Sequence, residues 1–596
     1  MLNLAPIGNG RIAALADNAG RIKWFCFPRF DSDPVFCNLL TAGEEKGFCD
    51  VVLKNKKSAV ARYVRNTAVL ETILTDDAGN SVRIVDFMPR FSQFERIHHP
   101  PQLIRRIECA SGTPRITIRI RPTFNYGENC AVLSLGSSHI RYTGGSAALR
   151  VTTDAPLSYV AQESEFALLR NMTLIFGADE PIESSVDRLS KEFLDRTIRY
   201  WTEWTRSLGI PFEWQTEVIR AAISLKLCSF DETGAIVAAL TTSIPEAPGT
   251  ERTWDYRYCW PRDAYFVIKA LNNLGATQTM ESYLGYITNI ATDHAASLKP
   301  VYGIVHDEPL IEKIAPNLKG FAGSGPVRIG NQAAEQAQHD TYGSIILGAA
   351  QMFADQRLPH PGDAGLFHRL EVLGEHAKRL VAEPDAGLWE YRGRSRVHTY
   401  SATMCWVACD RLARIAQLLG LEARLRYWAN HAARIKSEIL ARAWNPRRGA
   451  FVAAFDSDDL DASCLLLPQL GLITPDDPRY IRTVDVIGKE LSRNGFMMRY
   501  TAPDDFGSPE VAFLACQFWY IDALSRIGRR DEARAMFVEL LGHRNSFGIL
   551  SEDIHPGTRQ LWGNIPQTYS MAGIINTAVE LSRSWSEAWS DQSGTN

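Results

Sequence analysis

Arg115-Ile116-Thr117-Ile118-Arg119-Ile120-Arg121 places an isoleucine at every second position, with arginine or threonine between. Successive side chains of an extended chain point to opposite faces, so this period of two puts the three isoleucines on one side. The stretch therefore predicts a strand with one buried face. Ser81-Val82-Arg83-Ile84-Val85-Asp86-Phe87 largely repeats the pattern, and turn signals such as Gly144-Gly145 fall between such runs. Residues 1–185 read as β-rich, and the natural packing of such strands is an antiparallel β-sandwich.

The pattern then changes. Val186 to Leu208 is charged and helical in character, so residues 186–210 read as a helical linker. From residue 211 to 596, helical stretches dominate, among them Thr216–Phe230, Ala264–Leu274, Thr341–Phe353, Thr403–Leu419, Glu422–Ala443, Val511–Ile527 and Asp531–Leu541. About twelve such stretches can be drawn. Long loops separate several of them, notably Lys299–Gln338. Long loops in a compact domain are usually functional or disordered. The chain is thus a multidomain β + α protein.

Composition removes several function classes. The 596 residues carry a net charge of −4, with 45% apolar and 22% charged residues. Nothing there points to nucleic acid or an anionic membrane as partner. No apolar run approaches the roughly 20 residues of a membrane span. The start, Met1-Leu2-Asn3-Leu4-Ala5-Pro6, lacks the basic and apolar segments of a signal peptide. Eleven cysteines, many within apolar segments, read as reduced, buried thiols of a cytoplasmic protein. Cys405 and Cys409 sit one helical turn apart, but no second pair completes a zinc site, so neither metal nor cofactor is expected.

The chemistry concentrates in Arg252-Thr253-Trp254-Asp255-Tyr256-Arg257-Tyr258-Cys259-Trp260-Pro261-Arg262-Asp263. Aromatic faces can cover the C–H surfaces of a sugar while ionised groups hold its hydroxyls. A buried Arg–Asp structural pair beside core aromatics fits the same residues. Two further segments join acids to aromatics: Gly387-Leu388-Trp389-Glu390-Tyr391-Arg392-Gly393, and Leu550-Ser551-Glu552-Asp553-Ile554 followed by Trp562-Gly563-Asn564-Ile565-Pro566-Gln567-Thr568-Tyr569-Ser570. Glycoside hydrolysis needs two carboxyl groups flanking the scissile bond. Taken singly, each glutamate equally fits a surface or capping role.

Taken together and in order, these motifs resemble glycoside hydrolase family 15, which includes glucoamylases and bacterial trehalases. Ile7-Gly8-Asn9-Gly10-Arg11, Trp24 and Pro28-Arg29-Phe30-Asp31-Ser32 are similar to the opening of the family's bacterial members. Gln336-Ala337-Gln338-His339-Asp340-Thr341-Tyr342-Gly343 follows the Trp254–Asp263 run, although His339-Asp340 alone also fits a helix N-cap beside a buried imidazole. The resemblance implies an N-terminal β-sandwich followed by an (α/α)6 barrel over residues 211–596, with the site at one barrel mouth. It implies an exo-acting hydrolase that inverts the anomeric carbon. It assigns Glu390 as general acid and Glu552 as general base, with Asp553 as a competitor that the family position disfavours. It assigns substrate binding to Tyr256, Trp260, Arg262 and Asp263, and less strictly to Trp389 and Arg499, the latter also fitting a surface salt bridge.

Two positions depart from the family. Tyr391 stands where fungal glucoamylases carry a second acid, and Met571 where many bacterial relatives have His. These leave the substrate more open than the reaction. A small soluble α-glucoside is the expected partner. α,α-Trehalose is the first expectation, and malto- or isomalto-oligosaccharides cleaved from the non-reducing end the second. A phosphorylase and a non-catalytic glucan-binding protein are the competing classes, and retention of both glutamates argues against each.

Overall fold

The computed structural model describes residues 2–41, 43, 45–293, 297–305 and 309–590. Two antiparallel sheets form the N-terminal part. The first runs Leu4–Gly8, Ala13–Asp17, Ile22–Cys26, Phe48–Leu53, Arg115–Arg121 and Phe166–Ala167, with Pro34–Phe36 paired to Ile22–Cys26. The second runs Val132–Leu135, His139–Thr143, Leu149–Thr153, Met172–Gly177, Leu103–Ser111, Ser81–Phe87, Leu70–Asp76 and Lys56–Tyr63. Ile116, Ile118 and Ile120 are buried as their spacing predicts, while Arg119 and Arg121 point outward to Asp50 and Glu163. Gly144-Gly145 lies in the turn between His139–Thr143 and Leu149–Thr153.

Ser81–Phe87 alternates less cleanly, and the fold shows why. Val82 and Ile84 face the core between the sheets, whereas Val85 and Phe87 face the helix Val186–Arg206. That helix, in the segment read as a connector, lays Val186, Leu189 and Phe193 across the outer face of the second sheet. A strand covered on both sides loses its period of two. One polar pair spans the sandwich. The Arg105 guanidinium donates to Asp86 at 2.7 and 3.0 Å and to the Gly20 carbonyl of the opposite sheet at 2.6 Å, with both charged side chains fully buried. A charge pair so desolvated persists only when its hydrogen bonds are satisfied, as here.

The C-terminal part is a ring within a ring. The inner helices are Pro261–Asn273, Asp340–Ala349, Thr399–Leu418, the short Leu467–Leu470 that continues the 3-10 turn Ala462–Leu466, Leu514–Arg526 and Thr568–Leu581. Each contacts the next, and Thr568–Leu581 closes back onto Pro261–Asn273. The outer helices Gln215–Leu227, Thr277–Asp293, Ala364–Leu380, Glu422–Arg442, Pro478–Leu491 and Arg530–Leu541 pack against them. Outer and inner elements alternate along the chain, so six hairpins close an (α/α)6 barrel. Burial follows: Asp340–Ala349 is buried throughout, while Glu422–Arg442 buries only Trp428, Ala432, Ile435 and Ile439. The segment Lys299–Gln338 is not featureless. It holds the short strands Lys313–Ile314 and Arg328–Ile329 and the turn Gln332–Glu335.

Sandwich and barrel are bonded together. Trp24 Nε1 donates to Leu240 O at 2.8 Å, and Asn545 donates to the Leu2 and Leu4 carbonyls at 3.0 and 2.9 Å. Among the described residues no helix is long and apolar enough to cross a membrane.

Candidate active site

The acid- and ring-bearing motifs of the C-terminal part lie just before, or in the first turn of, an inner helix. Pro261 opens its helix at a position where the missing N–H costs nothing, and it sets Arg262 and Asp263 in the first turn. Asp340 likewise begins its helix, and Glu390, Arg499 and Glu552 sit in the loops ahead of theirs. The positive ends of the inner helices therefore surround a group of carboxylates. Between these loops opens a cavity of about 920 Å³, mouth included, lined by both candidate glutamates and by Tyr256, Trp260, Arg262, Asp263, Trp389 and Arg499. All eight residues expected from the sequence are thus brought to one hollow. Phe506, 37% exposed, marks its mouth; Glu552, 2% exposed, marks its depth.

The Arg252–Asp263 run sends residues both to the cavity wall and into a buried ion pair. Trp254, Tyr256 and Trp260 line the cavity. Asp255 and Arg257, fully buried, pair at 2.7 Å, and Arg257 reaches the sandwich through Ser32 O and Tyr126 Oη, both at 2.8 Å. The extended backbone thus sends alternate residues to the cavity side and the structural side.

Glu390 holds φ +60, a left-handed conformation that costs a non-glycine residue energy and that clusters at functional sites. Its carbonyl accepts from Gln336 Nε2 at 3.0 Å. Its Oε1 accepts from Trp260 Nε1 at 2.7 Å and from Arg262 Nη2 and Gln338 Nε2 at 3.3 Å each. Among the described residues Oε2 takes no such bond. The preceding Trp389 is fixed by its indole N–H, which donates to buried Asp461 at 2.7 Å. Arg262 also donates to Gln338 Oε1 at 2.8 Å and meets Asp340 at 3.5 Å. Burial pushes Asp263 up to about 6, against the pull of Arg262.

Glu552 stands across from this group. Tyr256 Oη donates to its Oε1 at 2.6 Å, while Oε2 is buried with no partner. The Tyr256 and Trp260 rings meet edge-to-face at 5.4 Å, so one aromatic pair links the partners of both glutamates. Burial, then the Glu246 carboxylate, push Glu552 up to about 8; Tyr256 and Arg499 oppose the shift. Both Asp553 carboxyl oxygens are buried and unpartnered, and burial and the charge of Glu552 hold this group well above the ordinary carboxylate range. Gly563 makes room for the pair. At its φ of +74, a Cβ would lie 2.6 Å from Glu552 Cβ, 2.7 Å from Glu552 Oε2 and 3.0 Å from Asp553 Oδ2.

Arg499 is not a surface residue. It is buried, hydrogen-bonded to Glu246, and lies 5.9 Å from the Trp389 ring. Glu246 also accepts from Trp254 Nε1 at 2.8 Å. Tyr391 stacks on His398 at 5.7 Å, and the buried Met571 accepts the Leu550 N–H through Sδ at 3.4 Å. His339 caps its helix without a side-chain cap bond, and its N–H donates to Asp385 at 2.8 Å. Sequence reasoning missed Glu246, Trp519 and Tyr569 as cavity walls. Gln338 and Trp254 stood inside quoted motifs without being chosen. Trp519 sits in a helix that reads as core, and Glu246 in the plain stretch Thr241–Thr250, so neither carries a local signal.

The family model described as glycosyl hydrolases family 15 matches residues 215–579. The chain belongs to this family. A model for a trehalase-like N-terminal domain matches residues 3–163 of this family 15 hydrolase. A trehalase of Thermoplasma volcanium is 32% identical over 593 residues, which covers 96% of this chain and 92% of the relative. A trehalase of Mycobacterium tuberculosis is 31% identical and covers 99% of this chain and 90% of its own. The fold is shared with a bacterial glucoamylase solved in complex with acarbose, at a TM-score of 0.70 and 13% identity over 97% of this chain and 93% of that one. The chain is therefore a glycoside hydrolase.

Proposed function

We propose that this family 15 enzyme hydrolyses α,α-trehalose with inversion, using Glu390 as general acid and Glu552 as general base. The observation that carries the reading is that two distant glutamates, each oriented by one member of the Tyr256–Trp260 pair, line one cavity. The two trehalases of similar length supply the substrate.

The chemistry follows from what each oxygen already does. Glu390 Oε1 already accepts three donors, so Oε2 is the oxygen left to deliver a proton to the substrate. Oε2–H donates to the oxygen between the two glucose units as the C1–O bond breaks. Glu552 takes a proton from a water that attacks C1 from the opposite face, which an inverting pair admits through a gap of about 6.5–9.5 Å. Water supplies the new C1–OH, the leaving glucose takes the Glu390 proton, and Glu552 ends protonated. One glucose emerges as the β anomer and the leaving glucose as α. Arg262, Asp263, Tyr256 and Trp260 hold the glucose that is attacked, and Trp389 and Arg499 bound its surroundings.

Since Glu552 favours its neutral form in the empty pocket, the base fraction rises with pH. The acid limb of kcat/KM, which reports the free enzyme, is expected well above the ordinary carboxylate range. The eleven free cysteines support a reducing, cytoplasmic location. The test is trehalose hydrolysis followed by NMR: equal initial amounts of α- and β-glucose are expected. Two α anomers would refute inversion, and faster cleavage of maltose or isomaltose would refute the substrate.

A further inference from the structure

The barrel axis contains a second hollow behind the catalytic one, of about 750 Å³ with its opening. Its walls are one face of each of the inner helices Pro261–Asn273, Leu514–Arg526 and Thr568–Leu581, joined by Gln469 of the short inner helix. A helix rises 1.5 Å per residue, so Lys269 in this hollow lies about 10 Å further along its helix than Arg262 in the catalytic one. Trp519 and Tyr569 line both hollows. Phe266 packs on Tyr569 at 4.6 Å and on Trp519 at 6.5 Å, and Trp519 on Tyr569 at 5.8 Å. Trp519 and Tyr569 thus stand between the two chambers, with Phe266 packed on them from the second one.

The polar groups on the far side are balanced. Arg526 donates to Asp522 at 2.8 Å, and Asn273 donates to Asn576 at 3.0 Å. Lys269 and Arg526 offset Asp522 and Glu580, so an anion would meet two carboxylates and a cation two bases. A neutral, hydroxyl-rich molecule can use donors and acceptors of both kinds, and it can lay its C–H face on an aromatic wall. One donor stands ready. Among the described residues the Lys269 ammonium has no hydrogen-bond or ion-pair partner; burial pushes its pKa down while Asp522 pulls it up. A half-buried amine that faces the hollow without a protein acceptor is a group to which a ligand hydroxyl can bond.

We propose that this hollow is a second, non-catalytic binding site for a neutral monosaccharide such as glucose, with Lys269 as its main donor and Trp519 as its stacking face. Neither glutamate of the catalytic pair lines it, so a sugar bound there is not hydrolysed. The site is independent of which glucoside the enzyme cleaves.

The test counts glucose. Equilibrium dialysis of the full chain with labelled glucose is expected to give two sites per chain, and crystals soaked in glucose to show density in both hollows. Lys269→Met is expected to retain one site while kcat/KM stays within twofold. A single site in the unsubstituted protein, or two in a folded Lys269→Met variant, would overturn the proposal. If Lys269→Met does not fold, Gln469→Ala takes its place with the same expected loss. A protein that binds two glucoses yet leaves trehalose intact would refute the substrate assignment and leave this site standing.

Discussion

Replacing Glu552 by Gln is expected to abolish turnover and to stabilise the fold, in a pH-dependent way. The carboxyl moves from 4.5 to about 8 on folding, chiefly by burial and then by the Glu246 charge. The raised value means that the folded protein favours the neutral acid. Below about pH 4 both states are protonated and the group costs nothing. Between about 4.5 and 8 the unfolded chain releases the proton while the fold retains it, so stability falls as pH rises. Each pKa unit is worth about 1.4 kcal/mol, so at pH 7 the penalty is on the order of 3 kcal/mol. Glutamine removes it without removing the Tyr256 hydrogen bond, which its amide oxygen can still accept. Its amide nitrogen replaces the unpartnered Oε2, beside the equally unpartnered Asp553. Urea titrations of both proteins at pH 4, 7 and 9 are expected to show Glu552→Gln equal at pH 4, more stable by about 3 kcal/mol at pH 7, and more stable still, by about 5 kcal/mol, at pH 9. A variant that is less stable at pH 9, or whose gain is the same at every pH, would falsify the reasoning.

Three further outcomes follow from the same geometry. Glu390→Gln is expected to lower kcat by about 10²–10⁴-fold, because an amide cannot deliver the Oε2 proton; steady-state rates on trehalose check this, and near-normal turnover would remove Glu390 from the mechanism. Asp553→Asn is expected to keep kcat within about tenfold, since burial favours the neutral form of this unpartnered carboxyl and an amide copies its shape; a loss as large as that of Glu552→Gln would make Asp553 the base. Gly563→Ala is expected to destabilise the fold by more than about 1 kcal/mol and to cut kcat by about 10²-fold or more, because its Cβ would fall on Glu552 and no alanine favours φ +74; unchanged rates and melting would refute the Gly563 cradle.

How much of this was legible from the chain depends on whether a residue announces its neighbours. Ile116, Ile118 and Ile120 do so through spacing alone, and their strand is where the period placed it. Val85 and Phe87 do not, because the helix that buries them comes a hundred residues later, and a second cover reads as a broken pattern. The site behaves in the same way. Its motifs stand out because each loop before an inner helix must offer charge and ring together to one shared hollow. Glu246 offers neither locally: its importance lies in Trp254, Arg499 and Glu552, which reach it from 8, 253 and 306 positions away. A carboxylate that acts by raising another's pKa and by holding an arginine and a distant indole leaves no pattern of its own. That is a general consequence of building a pocket from five separated loops. Cavity-lining residues that carry charge and rings together are concentrated in recognisable stretches, whereas the groups that set their charge are scattered wherever the barrel's closure brings them.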